Sequence, residues 1–186
     1  MANLLNKCLH LNLCRQYEIK KSKKLKTHSV QFVTSNEFVE IQVDTNFPTD
    51  NVIPNNKPEI FVHDKSSNTI TLIEVGITSQ NCLKNVEMKK FHKYDLLANQ
   101  IGPIHRAKVK IVLVVITWNG IVSKFFKNHL AVLGVEDRVK AYIQTLMLRK
   151  TLEGMQAETK HGLSIPVEEV ALNLDFVLTW IFSSIL

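Results

Sequence analysis

The chain has 186 residues, 45% of them hydrophobic, with five prolines and six glycines, which supplies one ordinary domain core and a tail. Lysine and arginine outnumber aspartate and glutamate 23 to 17, a net charge of +6, which favours a polyanionic partner, although many proteins carry as much. Three cysteines, with no Cys-x-x-Cys pair, speak against a disulfide framework and a four-ligand zinc site and for a reducing compartment, nuclear or cytoplasmic.

The first residues, Met1 to Asn6, lack the apolar run and small-residue cleavage site of a secretory signal. Leu4, Leu5, Cys8, Leu9, Leu11 and Leu13 predict a short helix ending near Tyr17. Cys8, His10 and Cys14 within it fit no common zinc spacing, so a buried helix face is preferred to a metal site. A basic arm follows over 20–28. Its lysines Lys20, Lys21, Lys23, Lys24 and Lys26 have no acidic neighbours, and they read equally as phosphate contacts, as an import signal or as a solvated loop.

Phe38 to Asp44 alternates apolar and polar, the pattern of a half-exposed strand, and Asn46 to Asn56, with Pro48 and Pro54, reads as irregular connection. Ile60–Val62 and Ile70–Val75 are β-rich runs around the polar turn Asp64–Asn68, which predicts a hairpin. From Leu83 to Ile101 the period becomes helical: Val86, Lys90, Lys93, Leu97 and Ile101 share one stripe with Tyr94 at its edge, and Gly102-Pro103 is the expected stop. Val109 to Ile116 reads as a strand buried on both faces, hence a crossover helix and a parallel pair, expected to be right-handed.

Phe125, Phe126, Leu130 and Leu133 mark a helix closed by Gly134, and a second helix runs from about Glu136 to Leu152; both are expected to cover the sheet. The domain is therefore placed at 1–153. The tail, 154–186, ends in an apolar helix over 170–186, which is short for a membrane span and contains Asp175, so a docking helix is preferred to membrane insertion.

Chemistry concentrates between Lys57 and Tyr94. Phosphodiester cleavage needs a carboxylate-held divalent ion, and Glu59 and Glu74 sit on the two hairpin strands, with the Val75 carbonyl as a further oxygen and no side chain on Gly76. Lys90 and Lys93 point to the sheet from the crossover helix, able to orient water or stabilise the developing charge, while Tyr94 either meets substrate or packs beneath them. Lys89 lies off the stripe and reads as a phosphate contact or a solvated charge. Spacing alone leaves open a plainer reading, in which the two acids are strand-end charges paired with snorkelling lysines.

In Lys57-Pro58-Glu59, Glu74, Lys90, Lys93 and Tyr94 the chain resembles the restriction-like endonuclease domain of the PD-(D/E)xK superfamily, found after the reverse transcriptase in site-specific non-LTR retrotransposons. The likeness extends from Leu9-His10 and Leu13 to Tyr17, through Thr49-Asp50 and Asn56, to Val109–Ile116 and Leu148–Leu152. It implies a restriction-endonuclease-like α/β core, a mixed sheet of hairpin plus parallel strand flanked by helices. It also implies Mg²⁺- or Mn²⁺-dependent nicking of DNA, with element RNA or a reverse transcriptase as further partners, here in a stand-alone or fragment form. Glu59 stands where the family has aspartate, and Gly76 where the superfamily usually has lysine, whose role passes to the helix lysines. Lys57 would join the phosphate contacts. The alternative is a nuclease-fold binding module with an impaired metal site, and a membrane-associated protein ranks third.

Overall fold

The computed structural model describes residues 2–19, 24–47 and 56–160, with side chains as far as 154. Lys20, Lys21 and Lys23 of the basic arm, the connection around Thr49 and Asp50, and the apolar stretch 170–186 lie outside the described residues. The elements run α1 (Ala2–Gln16), β1 (Val33–Ser35), β2 (Val39–Val43), β3 (Ile60–Asp64), β4 (Thr69–Thr78), α2 (Leu83–His105), β5 (Lys108–Thr117), α3 (Phe126–Val132) and α4 (Asp137–Lys160).

The strands form one mixed sheet in sequence order, β1 to β5, antiparallel except for the parallel β4–β5 pair. The hairpin between β3 and β4 closes because Asp64 Oδ1 accepts the N–H groups of Ser66 and Ser67 at 2.9 and 3.0 Å while Asn68 takes a left-handed φ of 49°. A parallel partner cannot follow through a tight turn, so the chain leaves β4, crosses as α2 and returns as β5.

Side chains alternate across the pleat, which divides the core into two layers. Val39, Ile41, Ile60, Val62, Ile73, Val75, Val112 and Val114 face a continuous cluster with Leu5 and Leu9 of α1, Phe126 and Leu130 of α3, and Ile143 and Met147 of α4. Phe61, Ile70 and Leu72 face the other way, against Tyr94, Leu97 and Ile101 of α2. The architecture is thus α/β, a five-stranded mixed sheet flanked by helices.

Four expectations differ from the structure, and one strand is added. Helix α2 passes Gly102-Pro103 and ends at His105, because a proline so near the end forfeits a single N–H bond, and the chain stops only where Arg106 turns left-handed, its carbonyl accepting Asn68 Nδ2 at 2.7 Å. Tyr94, expected at the edge of the stripe, is fully buried together with Leu97 and Ile101. β5 is buried only from Val112 on, Lys108 and Lys110 being exposed. β1 is an additional strand, too short at three residues to show a period. Finally, α4 continues beyond the expected end near Leu152, through Gly154, to Lys160; one glycine costs about 1 kcal/mol relative to alanine, too little to end it.

Candidate active site

The antiparallel register decides where the two acids meet. Ile60 pairs with Ile73, so Glu59, one residue before β3, falls opposite Glu74 of β4. Glu59 shares the parity of Phe61, and Glu74 that of Ile70 and Leu72, so both belong to the α2 side of the sheet. Two like charges placed directly opposite one another repel. Compensation comes from α2.

Glu74 is only 3% exposed. Lys90 Nζ donates to its Oε1 at 2.6 Å, and Lys93 Nζ lies 3.6 Å from the same oxygen. Residues three apart on a helix share a face, which is how one helix brings two ammonium groups to one carboxylate. Burial, and then the neighbouring Glu74 charge, raise the Glu59 carboxyl above its usual range, opposed by the Asn6 side chain, the Lys90 ammonium and the Val75 N–H. In a strand the N–H and C=O of one residue leave on the same side, so the Val75 carbonyl shares the edge that its N–H turns toward Glu59.

Gly76 has a more specific role than leaving its backbone open. A Cβ there would stand 3.1 Å from Lys90 Cε, 3.3 Å from Lys90 Cδ and 3.3 Å from Val115 Cγ1. The missing side chain therefore makes the channel through which the Lys90 stem reaches Glu74.

Tyr94 is 1% exposed, and its hydroxyl donates to the Lys57 carbonyl at 3.0 Å. Burial first, then Glu74 and the other nearby carboxylates, hold the phenol far above its ordinary range, so it remains a donor. Lys93 Nζ sits 4.6 Å above its ring centroid. Of the two expected roles, packing beneath the lysines is the one its burial permits; it also fixes the backbone that presents Glu59. Asp44, with a left-handed φ of 55°, continues the row of acids: its N–H donates to the Glu59 carbonyl at 3.1 Å and its carboxylate lies 3.5 Å from Lys57 Nζ. That exposed pair contributes little to stability, which leaves the Lys57 ammonium available to another anion. Lys89, Lys24 and Lys26 are exposed, the last with its carbonyl accepting Lys7 Nζ at 3.4 Å.

Glu59 Oε2 and Glu74 Oε2 are both buried with no hydrogen-bond partner. Native proteins rarely leave such oxygens unmatched, and carboxylate oxygens are the donor type that a hard divalent cation takes. The residues present therefore fit Mg²⁺ or Mn²⁺. Two contributors carried no local signal in sequence: Asn6 arrives from α1, and Asp44 reaches the row only through the β2–β3 register, in which Val43 pairs with Ile60.

No protein-family model and no curated protein sequence matches this chain. Among solved structures it is similar to an N-terminal domain of a reptarenavirus L protein, with a TM-score of 0.35 and 14% identity over 93% of this chain and 73% of that one. A likeness so distant carries no weight for function. No helix among the described residues is long and apolar enough to cross a membrane.

Proposed function

We propose that the protein is a divalent-metal-dependent DNA endonuclease of retrotransposon origin, nicking its target by phosphodiester hydrolysis. The observation that carries this reading is the pair of buried, partnerless oxygens of Glu59 and Glu74 beside Lys90 and Lys93. The resemblance of Lys57-Pro58-Glu59, Glu74, Lys90, Lys93 and Tyr94 to the retrotransposon endonuclease pattern supports it independently.

Glu59 and Glu74 would hold Mg²⁺ or Mn²⁺, with the Val75 carbonyl as a further oxygen. Such an ion supplies Lewis acidity toward phosphate and a water acidic enough to attack near neutral pH. Lys90 holds the Glu74 carboxylate in place through Oε1. Lys93, a full ångström farther from that oxygen, has the reach to bind a phosphate oxygen and offset its growing charge. Tyr94 sets the position of the Lys57–Glu59 backbone. Lys57, Lys89, Lys24 and Lys26, with Lys20, Lys21 and Lys23, would contact the DNA backbone without reading its sequence.

Incubation with supercoiled plasmid and Mg²⁺ or Mn²⁺ is expected to give nicked circles, and Glu74→Ala and Lys90→Ala should each abolish them. Plasmid binding without nicking, unchanged in Glu74→Ala, would overturn the enzyme reading. That result would favour a binding module instead, for which one observation speaks: the 2.6 Å Lys90–Glu74 ion pair already gives the buried carboxylate a purely structural partner.

A further inference from the structure

Helix α1, packed against the aliphatic face of the sheet, carries a second cluster of ligand-type side chains. His10 and Cys14 lie four residues apart and so project from one face of the helix, both 0% exposed. His28, 2% exposed, comes from the end of the basic arm, which turns back where Thr27 Oγ1 donates to the Lys24 carbonyl at 3.3 Å and the His28 N–H to the Leu25 carbonyl at 3.3 Å. His10 Nδ1 meets His28 Nε2 at 2.7 Å, and Cys14 Sγ lies 3.7 Å from His10 Nδ1. One ligand atom from each residue fits within 4.8 Å of the other two.

We infer that His10, Cys14 and His28 form a transition-metal site of the zinc class, separate from the carboxylate pair and pinning the end of the basic arm to α1. Tetrahedral zinc spaces two nitrogens by about 3.3 Å and nitrogen from sulfur by about 3.5 Å, given bonds of about 2.0 and 2.3 Å. The observed 3.7 Å matches the second spacing, and the 2.7 Å needs only a small parting of two imidazole rings. Two imidazoles and a thiolate select zinc over magnesium, as the carboxylate pair does the reverse. On binding, Cys14 releases its thiol proton to solvent and each histidine offers a ring-nitrogen lone pair, its remaining proton residing on the other nitrogen. Cys8, on the same helix, is no member of the cluster: burial pushes its thiol up to about 11, and it packs as a small apolar group.

The spacing of Cys8, His10 and Cys14 fits no common zinc motif, because the third ligand is neither of the cysteines' neighbours but His28, across eighteen residues from His10. The test is a Co²⁺ titration of the full chain, stripped of metal and kept in excess Mg²⁺ so that the oxygen site is filled. One equivalent is expected to give a thiolate-to-cobalt charge-transfer band and the strong visible absorption of four-coordinate cobalt, both displaced by one equivalent of Zn²⁺. Cys14→Ser should erase the charge-transfer band and weaken Co²⁺ binding about 100-fold, and Cys8→Ser should change neither. X-ray absorption of the zinc-loaded wild-type chain needs no variant and should show one sulfur and at least two nitrogens. No band at one equivalent, a band that persists in Cys14→Ser, or a zinc shell without sulfur would overturn the site.

Discussion

Toward α1, α3 and α4 the sheet presents Val39, Ile41, Ile60, Val62, Ile73 and Val75, whereas toward α2 it presents Phe61, Ile70 and Leu72 and then, at one end, Glu59 and Glu74. The first face is filled with aliphatic side chains, each stabilising by roughly 1.5–3 kcal/mol when fully buried. The second gives up part of its core to two mutually repelling carboxylates, and α2 answers with lysines where a purely structural helix would place leucines. The difference teaches a division of labour: the aliphatic packing is concentrated on the side without the acids, and the other side gives part of its core to charged groups.

The largest expected effects separate the two faces outright. Glu74→Ala should lower plasmid nicking per folded molecule by at least about 10³-fold and Lys90→Ala by about 10²–10³-fold, with denaturation midpoints read in parallel. Met147→Ala, on the other face and 0% exposed, should do the reverse: a loss of about 2–5 kcal/mol in urea unfolding, with nicking per folded molecule within about twofold of wild type. If Met147→Ala reduces nicking as deeply as Lys90→Ala, the division between the faces is wrong.

A smaller effect is expected at Gly76. The Cβ of Gly76→Ala would press on the Lys90 stem at 3.1 Å, shifting its ammonium by a few tenths of an ångström. Nicking should fall about tenfold with little change in melting temperature, since misplacement of a catalytic group is felt in rate before stability. An alanine variant with undiminished nicking would show that Lys90 needs no such channel.

The subtlest test uses the raised carboxyl of Glu59. A carboxyl whose folded pKa lies above its ordinary 4.5 contributes stability that is present below that value and lost as pH rises through the folded pKa. Glu59→Gln should therefore raise the melting temperature of the metal-free protein by a few degrees at pH 7, the gain vanishing near pH 4. In wild type, Mg²⁺ should raise the melting temperature at pH 7 and do so less as pH falls below the raised Glu59 value, because ligation needs the ionised form. Equal Mg²⁺ stabilisation of wild type and Glu59→Gln would break the assignment of Glu59 as a ligand.

Much of the candidate site was legible in sequence because its parts lie on regular elements. Lys90 and Lys93 followed from helical phase, and the hairpin pairing of Ile60–Val62 with Ile70–Val75 from strand composition and the Asp64–Asn68 turn. The burial of Tyr94 is not legible in its phase, because periodicity weighs apolar positions equally, whereas in the packed protein Tyr94, Leu97 and Ile101 are buried and Val86 is only half-buried. Asn6 and Asp44 were invisible because their meeting with Glu59 depends on contacts far apart in the chain. The same holds for His28: a helix-borne His10 and Cys14 look like buried apolar-face residues until a distant loop adds the third ligand.

Residue pattern alone set most of the local order: strands β2 to β5, the helices apart from their ends, and which chemical groups lie on them. What the tertiary structure decided was convergence. The register that places Glu59 opposite Glu74, the docking of α2 that turns Lys90 onto Oε1, and the return of His28 to α1 each depend on side chains from separate elements packing at once. Periodicity fixes a direction within one element, whereas a site needs directions from several elements fixed relative to one another, and only the packed core does that.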